Sequence, residues 1–315
     1  MGFFASLINS MPSAVAQGLI WGIMAIGVYL TYRILDVADL TVDGSLGTGG
    51  AVCVVLVLNG APVGLALLAA TAAGMLAGLV TGLFHTACGI PAILAGILTQ
   101  LALYSVNLRI MGFGTGGGKA NLPISVDKYS LLVSARYVRN VAFNNPILIL
   151  AVFCAVLIAV LYWFFGTELG CSLRATGANQ NMARAQGINT NVTTVLGLMI
   201  SNGLVALAGG LLAQYQGFSD INMGRGAIVI GLAAVIIGEV IFSRIFRNFA
   251  LKLLSAVIGA IIYYIVMVFV LRLGLSTDDL KLLTALVVAL FLTIPYWKGK
   301  YFTKTSVKKG EKSHA

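Results

Sequence analysis

Charge is what this sequence lacks. Only 10% of its 315 residues are Asp, Glu, Lys or Arg, and 59% are hydrophobic. Mean hydropathy is +0.98. A soluble domain needs a surface that is about 25–35% charged, so a soluble globular fold is excluded and a polytopic membrane protein is expected. Acidic residues are scarcer still, 10 against 20 Lys and Arg. The resulting net charge of +10 does not describe a nucleic-acid surface. Six lysines fall between Lys298 and Lys312, after the last apolar run. They read as a solvated cytoplasmic tail that obeys the positive-inside rule.

Chemistry-bearing residues are also few. The two histidines, His85 and His314, are far apart in sequence, and the four cysteines show no CxxC spacing. Neither a metal site nor a disulfide framework is expected. There is no GxSxG, no HExxH and no pair of intramembrane aspartates, so no catalytic residues are assigned and the chain does not read as an enzyme. The first apolar run lacks a basic leader and further spans follow it, so no cleaved signal peptide is expected. One stretch, GTGGGKA from Gly114 to Ala120, resembles a phosphate-binding loop. That motif needs glycine where Phe113 stands and a magnesium-binding hydroxyl where Ala120 stands. It reads instead as a flexible glycine turn, which leaves the chain no visible energy source of its own.

What is present is a series of long apolar runs. About 20 apolar residues cross a bilayer, and candidate spans fall near 14–32, 46–58, 63–84, 90–111, 147–166, 192–213, 227–242, 249–270 and 280–295. The expected fold is an all-α polytopic membrane protein of about nine transmembrane helices, with eight to ten as the range. It forms one transmembrane domain over 1–297, followed by a basic tail over 298–315. The second run is short and opens with Gly47, Gly49 and Gly50 after a polar stretch from Arg33 to Ser45. Short, glycine-interrupted segments read as broken helices that line pathways.

Polar residues inside this apolar frame are the candidate sites. Gln100, Tyr104 and Asn107 are spaced four and three apart in the fourth run, so they share one helical face. They either line a solute path, with Ser45, Gly47 and Gly49, or join helices by hydrogen bonds. Asp39 and Asp43 would share a face if helical; they read as caps on the broken second helix, with cation binding as the other option. Glu239 is either a proton relay or an acid that snorkels or pairs with Arg244.

The most informative stretch is Cys171–Asn191, CSLRATGANQNMARAQGINTN, a polar island between two spans. Arg174 and Arg184 are its only charges. Small residues between them permit close approach by another surface. A short helix over Asn179–Gly187 is expected, with Gly187 as a left-handed cap. Placing the lysine tail inside puts this island inside as well, and 12 of the 20 Lys and Arg then fall on the cytoplasmic side. The loop holding Lys119, Lys128, Arg136 and Arg139 lies outside, as a surface that meets an acidic partner would. VDGSLGTGGAV (Val42–Val52) and INMGRGAIVIG (Ile221–Gly231) echo each other as glycine-rich starts of short spans on opposite faces, as an inverted repeat would.

RATGANQNMARAQGI and the following SNGLVALAGGLLAQYQGF resemble the permease subunits of ATP-binding-cassette importers of the branched-chain amino acid and ribose type. The island matches that family's loop pattern at Arg174, Gly177, Asn179, Met182, Ala183, Gly187 and Ile188. YRILDVADLTVDGSLGTGGAV and GIPAILAGILTQLALYSVNLRIMG look like the subgroup that works with tryptophan- or tyrosine-type binding proteins. The resemblance covers about residues 14–295. It implies a bacterial inner (plasma) membrane protein, multi-pass, with a cytoplasmic C-terminus. It implies a permease homodimer, a separate cytoplasmic ATPase that holds ATP and Mg, and an extracytoplasmic binding protein docking on 119–139 and 219–225. On that resemblance the island is the ATPase-coupling loop, with Arg174 and Arg184 pairing at its rim. The implied cargo is an aromatic or other hydrophobic amino acid, with a nucleoside or sugar, or an ion-coupled carrier, as alternatives.

Overall fold

The computed structural model describes residues 3–113, 117–125, 128–129, 131–138, 145–242, 246, 248–272 and scattered positions from 282 to 293. The chain is helical nearly throughout. Its helices are α1 (Phe3–Tyr29), α2 (Val42–Leu58), α3 (Val63–Thr86), α4 (Ala92–Met111), α5 (Pro146–Phe165), α6 (Glu168–Ala178), α7 (Gln180–Ala185), α8 (Thr190–Gln216), α9 (Ala227–Phe242) and α10 (Phe249–Arg272). A π-helical turn, Leu30–Ile34, closes α1. Two short strands, β1 (Asn121–Pro123) and β2 (Phe218–Asp220), pair antiparallel with Leu122 opposite Ser219.

Among the described residues six helices are long and apolar enough to cross a membrane, and α2 and α9 are shorter apolar helices. Together they account for eight of the expected spans. The ninth, near 280–295, falls mostly outside the described residues; its Val288 packs with Tyr263 and Met267. The basic tail, Arg244 and Arg247 also lie outside them, as does part of the glycine turn at 114–120. A surface helix expected near 129–141 is described only in part, where Ala135–Tyr137 makes a single 3-10 turn.

Helix α8 is the centre of the bundle, packed on α1, α2, α3 and α6. Its crossing with α2 is close because both helices present glycine there. A Cβ on Gly49 would strike the Ala206 carbonyl, and one on Gly209 the Leu46 carbonyl. Small residues of this kind allow helix backbones to approach where lipid supplies no hydrophobic drive.

The second span differs from a broken helix in an informative way. α2 is one uninterrupted helix of 17 residues, and its glycines pack rather than break it. The interruption comes before it. Asp36 takes a left-handed conformation, φ 55°, which aspartate tolerates, and reverses the chain after α1. Residues 35–41 then climb as non-helical backbone beside α8, from Leu35 near Gly197 to Asp39 at Asn202. Asn202 is at the middle of α8. Backbone at such depth is tolerated only where protein surrounds it and satisfies its polar groups. Here the Thr41 N–H donates to Asp39 Oδ1 at 2.9 Å. The Val37 N–H donates to the Thr31 carbonyl at 3.0 Å.

The same cluster locks α2 onto α8. Asn202 Nδ2 donates to Asp39 Oδ2 at 2.7 Å, and Ser45 Oγ donates to Asn202 Oδ1 at 2.6 Å. The Thr41, Thr81 and Thr99 hydroxyls continue the network into α3 and α4, at 2.7 and 2.9 Å. Asn202→Leu removes the donor to Asp39 Oδ2 and the acceptor of the Ser45 hydroxyl, leaving Asp39 only its bond from the Thr41 N–H. It is expected to cost at least about 1–3 kcal/mol, read as a lowered Tm of the detergent-purified protein, with Ser45→Ala milder. An unchanged Tm for Asn202→Leu would show that this cluster does not hold α2.

Candidate functional site: a central cavity and a clamped polar loop

Two regions hold the polar residues. One is at mid-bundle and the other is at the end formed by α6 and α7.

At mid-bundle, Asp43 corrects the sequence reading. It does not cap α2. Its Oδ2 accepts from the Gly226 N–H and its Oδ1 from the Ile228 N–H, both at 2.9 Å. It therefore caps α9, whose first-turn N–H groups have no partners inside the helix. The consequence is geometric. α2 starts midway along α8 and runs toward the β1–β2 end, while 221–226 descends from that end alongside α2. Gly47 faces the Ile221 carbonyl and Gly50 faces Met223 and Ser219. α9 then starts at Asp43 and runs the other way, to Glu239 beside Arg33. Two half-length helices thus meet N-terminus to N-terminus at mid-bundle, whereas the sequence echo placed the starts of Val42–Val52 and Ile221–Gly231 on opposite faces.

Beside this junction is a cavity of about 400 Å³, lined by Asp43, Gln100, Leu101, Tyr104, Asn107 and Arg225 among others. Gln100, Tyr104 and Asn107 therefore share one wall. Asn107 is 2% exposed, and its Oδ1 has no hydrogen-bond partner among the described residues. Arg225 lies over the Tyr104 ring, 6.0 Å from its centroid. Gly47 backs Asn107; a Cβ there would lie 3.2 Å from Asn107 Nδ2. Ser45 and Gly49 do not join this wall. Ser45 is buried on Asn202 and Gly49 on Ala206, so both serve the α2–α8 contact. The sequence reading missed Arg225 as a cavity residue, although a cation directly before an apolar run was visible.

Glu239 pairs with Arg33 at 3.0 Å; Arg244, the partner expected from the sequence, lies outside the described residues. Together with Asp39 and Asp43, every acid considered for ion coupling is engaged by protein groups.

At the other end, the island folds as α6 and α7. Asn179 caps α7, its Oδ1 accepting from the Met182 N–H at 3.1 Å. Gly187 ends the turn at φ +83°, a conformation that only glycine adopts readily. The loop is clamped to the bundle. Thr176 and Thr193 share a hydrogen bond of 2.8 Å, and Arg184 Nε donates to Thr190 Oγ1 at 2.7 Å. Gly177 lies so near Ile34 that a Cβ would strike its carbonyl. Ala183 faces inward, 3% exposed, whereas Met182 is 61% exposed; Ile188 is half-buried. Ala183 is thus a packing residue of this chain, and Met182 is the apolar side chain that α7 presents outward. Arg174 is exposed, lies 6.0 Å over the Phe249 ring, and lines a basic recess with Arg33 and Lys252.

Membrane-type helices, two of them half-length and converging on a polar cavity, with a rigid loop clamped beneath, define a solute-transport permease. Residues 10–294 match the family described as the permease component of branched-chain amino acid transport systems. The chain belongs to that family and is a permease subunit of the ATP-binding-cassette type. It is similar to the tyrosine transport system permease protein of Clostridioides difficile (strain R20291), 41% identical over 284 residues, covering 90% of each chain. It is also similar to an uncharacterized protein of Rickettsia prowazekii (strain Madrid E), 37% identical, covering 90% of this chain and 97% of that one. The structure described as PsaBC from Streptococcus pneumoniae in complex with Fab shares the fold. Its TM-score is 0.51 at 16% identity, over 95% of this chain and 98% of that one.

Asp43→Ala removes the acceptor of two amides at the α9 N-terminus. It is expected to cost about 0.5–2 kcal/mol of stability and Asp43→Asn less, checked by thermal unfolding in detergent.

Proposed function

We propose that this chain is the membrane-spanning subunit of an ATP-driven importer for an amino acid, aromatic in class. The observation that carries this reading is the polar loop: α6 and α7 are held rigidly to α8 yet present Met182 outward. A cytoplasmic ATPase, holding its own ATP and Mg, would receive Met182 in a groove. Its carboxylates would meet Arg174 and the basic recess. The positive-inside rule supports placing this loop and the lysine tail on the cytoplasmic side of a bacterial inner membrane. A binding protein would dock at the opposite end, on 119–139 and around Phe218–Asp220, while 221–225 descend into the bundle. Two copies of the chain would enclose the path along the exposed face of α4. Likeness to a tyrosine transport permease supports the substrate class. Engagement of Asp39, Asp43 and Glu239 by protein groups argues against an ion-coupled carrier.

The test is co-purification with the ATPase encoded beside it. Met182→Glu is expected to release the ATPase and abolish uptake while Tm stays within a few degrees of wild type. Met182→Leu is expected to retain both. Ala183→Arg is not a usable probe, because it would disrupt this chain's own packing. If Met182→Glu still holds the ATPase, α7 is not the coupling element.

A further inference from the structure

The central cavity has a composition that a mere passage does not need. Arg225 is exposed, yet it directly precedes Gly226, which Asp43 binds, so it sits at the depth of the α2–α9 junction midway along the bundle. An ionised side chain at that depth faces water or a polar cavity, not lipid. Its position over Tyr104 therefore makes the Gln100–Tyr104 face of α4 the wet face. Opposite in character is Asn107 Oδ1, an acceptor that is fully buried and unpartnered. Leaving such a group unpaired is costly, and none of the described residues satisfies it. The Tyr104 ring and Leu101, 42% and 65% exposed, line the same cavity. The cavity volume of about 400 Å³ is within the range of small-ligand sites, roughly 300–1,000 Å³.

Resting on the importer reading above, we infer that this cavity is a recognition site for a zwitterionic α-amino acid. Arg225 binds the substrate carboxylate. Asn107 Oδ1, with Asp43 at the rim, accepts from the ammonium. Tyr104 and Leu101 receive the side chain. At the α9 N-terminus the Gly226 and Ile228 amides are already taken by Asp43 and do not compete for the carboxylate. The cation for the substrate is thus Arg225 alone among the described residues lining this cavity. The permease itself would check both charged ends of the cargo, in addition to any selection by a binding protein.

The experiment uses the full permease–ATPase complex in nanodiscs, with radiolabelled L-tyrosine as the probe. Competitors are tyramine, which lacks the carboxylate, and 3-(4-hydroxyphenyl)propionate, which lacks the amine. Wild type is expected to prefer L-tyrosine to each analogue by about tenfold or more, as loss of a charge-assisted hydrogen bond implies. Arg225→Gln should erase the preference over tyramine and keep that over the propionate. Asn107→Leu should do the reverse. A ratio of two ligands on one sample does not depend on the folded fraction, so misfolding cannot mimic either result. If wild type imports tyrosine in proteoliposomes and both variants keep both preferences, the cavity assignment falls and the importer reading stands. If wild type, with ATPase and binding protein present, imports no amino acid, the substrate reading falls and the site with it.

Discussion

Non-helical backbone inside a membrane must be satisfied by protein, and the rest of this structure follows from how that is done at residues 35–41. Asn202 is the key residue because an amide both donates and accepts. It gives its hydrogen to Asp39 and takes one from Ser45, joining the climbing strand and the start of α2 to one point on α8. An aliphatic residue there would leave Asp39 Oδ2 and the Ser45 hydroxyl without their partner in a low-dielectric interior, where the penalty is highest. With that point fixed, α2 must begin halfway along α8, and its 17 residues suffice to reach the far end.

A half-length helix creates a need for a second one. The space continuing α2's line below its start is filled by α9, which begins where α2 begins and runs oppositely. Asp43 is the joint: one carboxylate on the first turn of α2 satisfies two amides of α9. The negative charge also opposes the positive ends of both helix dipoles. Structural economy and function coincide here, because the junction is also where polar groups can be exposed to a cavity without being exposed to lipid.

Much of this was legible in the sequence. The apolar runs marked eight helices because bilayer thickness sets their length. The α7 turn was legible because Asn179 and Gly187 act locally, through a cap and a positive φ. The Gln100, Tyr104 and Asn107 face was legible because helical spacing is local too. What could not be read was pairing between distant segments. Asp43 sits four residues after Asp39 and reads as a cap on its own helix; its real partners are at 226 and 228. Glu239 reads as a proton relay or as an acid that snorkels or pairs locally, and its partner Arg33 lies across the bundle. Ala183 looks like an interface residue because it is small, and smallness serves internal packing equally well. In each case the residue type was informative and the partner was set by tertiary contact.

The positions of Met182 and Ala183 constrain how force can pass through the loop. A helix of six residues has little stiffness of its own, so pushing on Met182 moves the bundle only if the loop is anchored at several points. It is. Ala183 seats it inward, Arg184 and Thr176 tie it to the first turn of α8, and Gly177 rests on Ile34 at the end of α1. Displacement of α7 therefore acts on α8 and on the turn at Asp36 together. These are the two elements that meet again at Asn202. A tilt of α8 about that point would carry α2, and with it Asp43 and α9, against the α4 wall. The loop and the central cavity are thus joined by one contiguous path of hydrogen bonds and close backbone contacts. On the importer function proposed above, a shared element of this kind, biased from both ends, would couple a nucleotide-driven partner to a solute path.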